Sequence, residues 1–256
     1  MAKTVSIIAL EKIPLIKRGD DLARIIVQAS LDEGVTIEDG DVVVVSQKIV
    51  SKAEGRTIRL QEVETSIEDE SLAKETRKDP RLIKLIRNES NHMFRSITGV
   101  IVVQDRRGMT CVNAGLDKSN VEGEDSYTLL PLDPDESAEK IRRGIKELTG
   151  ASLAVIVCDT ASRPFRRGQV EFAIGLAGMN PFKDYRGEKD LFGYTMRVKN
   201  VALADEIAAA AELVIGQGRE ATPVAIVKNV ERLQLSENHS AKDLFSFIFQ
   251  DKEVLG

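Results

Sequence analysis

LAVIVCDTASRPFRRG, residues 153–168, opens on an uninterrupted apolar run, turns polar at Asp159 and Thr160, and ends on Arg163, Arg166, Arg167 and Gly168. A short β-branched run predicts a buried strand, and its C-terminal end is where open α/β sheets place ligand groups. Asp159 and Thr160 are expected there. Immediately upstream, DPDESAEKIRRGIKELTG (133–150) has Ala138, Ile141, Ile145 and Leu148 at helical spacing and Gly150 as its terminal glycine. Helix then strand is the unit of an α/β chain, and it recurs. Residues 21–33 predict a helix with Leu22, Ile25, Ile26 and Ala29 inward, capped near Asp20 and Asp21 and stopped at Gly34. DVVVVS (41–46) predicts a strand buried on both faces, and 203–215 a helix leading through GQG to a strand at 223–228.

Between these segments the pattern changes. Pro80 divides the charged stretch 67–87 into two helical pieces, the second with Leu82, Ile83 and Ile86 inward. Residues 100–104 and 109–113 predict a hairpin turned at 105–108. AKDLFSFIFQ (241–250) predicts a one-sided apolar helix that docks on the body or on a second subunit. No repeat or linker marks a boundary, so the expected class is α/β, or α+β with mixed sheets, in one unit of 1–256.

Composition narrows the function. The 256 residues carry 36 Lys and Arg against 41 Asp and Glu, a net charge of −5, which argues against a general nucleic-acid coat. Aromatics at 4% offer few platforms for stacking bases. The apolar run 153–158 falls far short of the ~20 residues that span a bilayer. No export signal is read at the N-terminus, and two cysteines, Cys111 and Cys158, in strand-like segments suit buried free thiols in a reduced cytoplasm. His92 and His239 lie near no cysteine cluster, which disfavours zinc, and His92 reads as a partly buried structural residue. Walker A, GxGxxG and GxSxG patterns are absent, and Asp205, Glu206 and Glu212 read as a solvated helix face.

What remains points to phosphate and metal chemistry. Asp159 and Thr160 offer hard oxygen ligands, and divalent Mg or Mn typically takes one or two carboxylates plus substrate phosphates. The arginines beside them, Arg166 foremost, match phosphate or carboxylate oxygens. An aspartate capping a turn beside solvated arginines explains the stretch equally well. CVNAGLDKSNVEGED (111–125) places Asp117 just past a strand with Asn113, Ser119 and Asn120 around it, which also describes an ordinary turn. Lys48 and Lys52, four apart in SQKIVSKAEGR (46–56), face phosphates or plain solvent. Residues 14–17 (PLIK) precede the first helix, and the glycines of IGQGREATP (215–223) permit a ligand close to backbone or simply end a helix.

Together PLIK, SQKIVSKAEGR, NAGLDKSNV, CDTASRPFRRG, ADEIAAAAELVIGQG and TPVAIVKNV, in this order over 13–230, resemble the coenzyme F420-0:L-glutamate ligase (gamma-glutamyl ligase) family. The tail 231–256 carries no matching block. The resemblance implies a cytoplasmic, GTP-dependent enzyme that joins L-glutamate to coenzyme F420-0, giving F420-1, often with a second glutamate in gamma-linkage. It implies magnesium or manganese, two ions per site, and a two-part α/β fold assembled as an intertwined homodimer. Carried over by position, Asp117 and Asp159 hold one divalent metal, and Thr160 and Gln217 the second. Pro14, Leu15, Ile16 and Lys17 line the nucleotide pocket, and Gln47, Lys48, Lys52 and Asn120 contact the nucleotide. Gly216, Gln217, Gly218, Arg219, Glu220, Ala221, Thr222 and Pro223 wrap its other side. Neither nucleic acid nor membrane is expected as a partner. Rival readings are a ligase for another pterin- or flavin-like acid and a non-catalytic nucleotide-binding module.

Overall fold

The computed structural model describes residues 3–97, 99–163, 166–231 and 233–245. In chain order the first half carries β1 (Ser6–Ala9), α1 (Leu22–Asp32), β2 (Val42–Ser46), α2 (Gln47–Ala53), β3 (Thr57–Arg59), α3 (Ile67–Thr76), α4 (Pro80–Asn88), β4 (Ser90–Ile97), β5 (Val100–Asp105), β6 (Thr110–Val112) and β7 (Ser126–Thr128). The second half adds α5 (Pro134–Thr149), β8 (Ala154–Ser162), β9 (Gln169–Ala177), β10 (Phe182–Asp184), β11 (Asn200–Ala202), α6 (Leu203–Ile215) and β12 (Val224–Lys228). These form two compact units, one of the described residues in 3–16, 20–50 and 133–244, the other in 17–19 and 51–132 with 245.

The first unit is built on a five-stranded mixed sheet ordered β1-β12-β2-β8-β9. Only the β2–β8 pair is parallel, from Val42↔Ala154 to Ser46↔Cys158. Valines 42–45 and residues 154–158 are fully buried, because α6 covers one sheet face and α1 with α5 the other. α6 contributes Ile207, Ala208, Ala211 and Ile215, and its alanines let it sit close to the sheet. On the other face, Ile26, Ile141 and Ile145 are buried. α5 approaches β9 so closely that a Cβ at Gly175 would collide with the Pro134 backbone.

β9 is an edge strand, and its outward N–H groups need acceptors. Acidic side chains of the covering helices supply them. Glu212 accepts from the Glu171 N–H at 3.2 Å, Asp205 from Ala173 at 3.0 Å and Asp135 from Leu176 at 2.8 Å. Asp205 and Glu212 are therefore not the solvated face expected from their helical setting; they terminate the sheet. Burial pushes the Asp205 carboxyl up, against the Ala173 hydrogen bond that lowers it.

The second unit packs α3 and α4 on the antiparallel sheet β4-β5-β6, with Ile83, Ile86, Ile101, Val103 and Ala114 at its core. β3 and β7 pair separately. Ser66 and Asp69 form a capping box that starts α3, and Asp79 caps α4 ahead of Pro80. The expected split at Pro80 and the hairpin at 105–108 are both present.

Other expectations need correction. Leu148 is 46% exposed, in the last turn of α5 where residues 146–149 are all exposed, and Leu85 rather than the half-buried Leu82 completes the inner face of α4. His92 is exposed on β4, edge-on to Phe94, not partly buried. The expected terminal helix begins with a 3-10 turn at Ala241–Leu244, and residues 246–256 lie outside the described residues. Both cysteines are free thiols, but only Cys158 is buried; Cys111, on the short outer strand β6, is half-buried. Among the described residues no helix is long and apolar enough to cross a membrane.

Candidate functional site

Strand direction decides where the predicted residues go. β2 and β8 run parallel, so both deliver their C-terminal residues to the same sheet end. β12 is antiparallel to β2, with Val224 opposite Val45, so the segment 216–223 enters at that end. β1 leaves there too, since Ala9 pairs with Ala225 and the Leu10 N–H donates to the Val224 carbonyl. β9 begins there, with Glu171 opposite Thr160. Residues 14–16, Gln47 and Lys48, Asp159 and Thr160, and 216–223 thus gather at one end of one sheet.

β8 does not stop at Asp159. The parallel ladder ends at Cys158, but the strand continues to Ser162 in an antiparallel hairpin with β9. Asp159 and Thr160 therefore lie inside a strand that has lost its neighbour on one side, instead of at a strand terminus. Both are half-buried, and the hairpin pairing with Phe172 and Glu171 holds their backbone. Arg163, Arg166 and Arg167 are exposed on the connection between the two strands. Pro164 and Phe165 lie outside the described residues.

The loop 216–223 is held by its own polar groups. Gly216 has φ 72°, and a Cβ there would meet Glu220 Cδ at 2.5 Å. Glu220 Oε2 accepts from the Gly218 N–H at 2.7 Å, and the Thr222 hydroxyl donates to the Ile215 carbonyl at 2.8 Å. The Pro223 carbonyl accepts from the Ser46 N–H at 2.9 Å, which ties the loop to the residue preceding Gln47. Gln217, Gly218, Arg219 and Glu220 are exposed, and Gln47 is buried. Pro14 and Leu15 are exposed, and Ile16 is buried beneath them.

The sequence reading missed Glu171. Its side chain is buried at 3% exposure, beside Thr160 across the hairpin. One carboxylate oxygen, Oε1, accepts from Gln217 Nε2 at 3.0 Å; the other, Oε2, is buried and has no hydrogen-bond partner among the described residues. Burial pushes this carboxyl up, and the Cys158 thiol, the Gln217 amide and the Lys48 charge oppose that rise without reversing it. A single acid in the apolar run QVEFAIGLA was the available signal. The neighbouring Cys158 thiol is driven far up by its burial and by Glu171, so it is no nucleophile.

Asp117, Lys52 and Asn120 belong to the second unit, together with Lys17. Asp117 Oδ1 accepts from the Ser119 N–H at 2.7 Å, and its backbone bridges to Thr128. Asn113, Ala114 and Asn120 all have positive φ, so the segment around Asp117 is tightly turned. Lys52 Nζ donates to the Asn120 carbonyl at 2.7 Å. Lys48 and Lys52 lie on α2, one helical turn apart.

Among the described residues no three His, Cys, Asp or Glu side chains cluster as a ready cation cage. What the sheet end offers is half-buried Asp159 and Thr160 and the Gln217 amide, with the buried Glu171 carboxylate hydrogen-bonded to that amide. That is a hard-oxygen set of low charge, which suits a divalent cation completing its shell with substrate phosphates rather than one enclosed by protein.

A family model described as F420-0:Gamma-glutamyl ligase matches residues 11–229. The chain belongs to that family. A relative from Methanothermobacter thermautotrophicus, named coenzyme F420:L-glutamate ligase, is 45% identical over 94% of this chain and 95% of its own. Relatives of the same name from Archaeoglobus fulgidus and Methanopyrus kandleri are 44% and 42% identical, over 88% and 87% of either chain. In the gamma-glutamyl ligase family these matches span all the segments that gather at the sheet end as well as the turn around Asp117.

Proposed function

We propose that this chain is a GTP-dependent ligase that joins L-glutamate to coenzyme F420-0, and by gamma-linkage to F420-1, through an acyl phosphate. The observation that carries the reading is the convergence of 14–16, Gln47, Lys48, Asp159, Thr160 and 216–223 at one sheet end in a chain of this family. A carboxylate is a poor acyl donor, so the acceptor acid must first take the γ-phosphoryl of GTP. The glutamate amine then attacks the acyl carbon, forming the amide and expelling phosphate, with one proton lost from the amine. Positioning and charge neutralisation account for such catalysis without a nucleophilic side chain.

In this reading 14–17 and 216–223 bracket the nucleotide, with Gln47, Asn120 and the lysines Lys48 and Lys52 on its ribose and phosphates. Arg166 and its neighbours grip a phosphate or the acceptor carboxylate. Asp117 and Asp159 hold one Mg²⁺ or Mn²⁺, and Thr160 and Gln217 a second. Bound there, the cations would offset the charge that builds on the transferring phosphoryl group. The chain is also read as a cytoplasmic homodimer; the strongly exposed Leu191 and Phe192 of the β10–β11 arm support a partner copy.

The test is an incubation with GTP, Mn²⁺, L-glutamate and F420-0, read by mass spectrometry and GDP release. A glutamylated product with GDP release that requires both acceptor and amino acid is expected. GDP release indifferent to both would overturn the reading in favour of a bare nucleotide-binding or hydrolysing module. Asp159→Asn is expected to abolish coupled turnover while the urea midpoint holds, and retained turnover would reject its metal role.

A further inference from the structure

Gln217 presents a difficulty to any cation bound there: a neutral amide oxygen is a weak ligand, and the side chain sits on an exposed stretch of the loop. Glu171 answers both parts. A carboxylate only accepts hydrogen bonds, so the 3.0 Å contact requires the amide to present Nε2 to Glu171 Oε1. The amide carbonyl oxygen is then the atom left facing away. Glu171 itself is fixed from both sides, its N–H bonded to Glu212 and its backbone paired with Thr160, the other donor of the same cation.

The unpartnered Oε2 separates this acid from an ordinary buried one. A buried carboxylate oxygen with no donor is costly, and native chains keep such groups where something outside the apo fold completes them. Lys48 draws on it from the same sheet end, and Glu212 adds repulsion. We propose that Glu171 is the positioning residue of the second cation: it orients the Gln217 amide so that the carbonyl oxygen serves as ligand, and it supplies the negative charge that the amide lacks. This rests on the ligase reading above for the presence of a divalent cation at Thr160 and Gln217.

The test measures Mn²⁺ binding by the electron paramagnetic resonance of free Mn²⁺, with GDP saturating, for the native chain, Glu171→Gln, Gln217→Ala and the double variant. Loss of a partner that orients a metal ligand costs about 10- to 100-fold in metal affinity, and that loss is expected of Glu171→Gln. Gln217→Ala should lose a comparable amount, and the double variant clearly less than the sum of the two, because the orienting role acts through one ligand and only the charge acts apart from it. Metal-free Glu171→Gln should unfold in urea at or above the native midpoint, since the substitution removes an unsatisfied charge. A binding curve that superimposes on the native one, losses that add, or a metal-free variant that no longer folds would each overturn the inference. The last would mark Glu171 as a residue of the fold alone. A native chain that binds no Mn²⁺ also overturns it, whatever the ligase assay gives. Mn²⁺ binding that behaves as described in a chain that fails to glutamylate F420-0 would instead overturn the ligase reading and leave Glu171 its role.

Discussion

Asp69 in the second unit and Glu171 in the first are both buried acids, at 0% and 3% exposure, and the chain treats them oppositely. Asp69 accepts from the Ser66 N–H and hydroxyl, each at 2.9 Å, and from Arg87 Nη1 at 2.6 Å. Burial alone would raise its carboxyl, but the Ser66 and Arg87 hydrogen bonds outweigh that and hold it below the usual range. Glu171 has only the Gln217 amide, the weak Cys158 thiol and the Lys48 charge to set against its burial, with no ion pair and one oxygen unpartnered among the described residues, so burial wins and its carboxyl rises. The acid in the first turn of α3 has both oxygens hydrogen-bonded within its own unit. The acid at the sheet end, beside Thr160 and Gln217, keeps one oxygen without such a partner, and that difference is what the proposal for Glu171 rests on.

Several substitutions sharpen this contrast. Asp69→Asn should cost most. Breaking a fully buried pair costs about 3–5 kcal/mol, and the 40% exposure of Arg87 reduces the expectation to about 2–3 kcal/mol in urea unfolding. Asp205→Ala comes next. It leaves the Ala173 N–H at the buried sheet edge without an acceptor, for a loss of about 1–2 kcal/mol; an unchanged midpoint would mean that water replaces the carboxylate. Glu171→Gln, measured without metal, should be neutral or stabilising by up to about 1 kcal/mol. A loss as large as that of Asp69→Asn would erase the distinction between the two acids.

The pH dependence gives a fourth check. The folded Asp69 carboxyl titrates below its unfolded value near ~4, so its stabilisation is complete above that value. That stabilisation is lost as pH falls through the folded value. Urea midpoints followed from pH 7 downward should therefore decline less steeply below about pH 4 in Asp69→Asn than in the native chain. Parallel acid limbs would show that Asp69 is no better bound in the folded state than in the unfolded one.

Local chemistry was legible in the sequence. Asp21 before α1, Pro80 at the start of α4 and Gly150 behind α5 act through neighbours within one turn, so their spacing along the chain is their geometry. Leu148 escaped because helical periodicity says which residues share a stripe but not how far the supporting sheet extends beneath it. Asp205 and Glu212 escaped for a related reason: an acid on a helix reads as solvated unless one knows that an unpaired strand edge lies against it.

By itself the sequence determined the type and order of most elements, the residues that start and stop them, and the blocks shared with the gamma-glutamyl ligases. Tertiary structure alone decided that β2 and β8 run side by side with β12 reversed between β1 and β2, and so that 14–16, Lys48, Asp159, Thr160 and 216–223 meet at one end. It also decided that Glu171 is sealed against Gln217 with an oxygen to spare. The reason is physical. Caps and periodicity are set by contacts within a few residues, whereas strand order and the burial of a charge depend on pairings between distant segments that exist only once the sheet has formed.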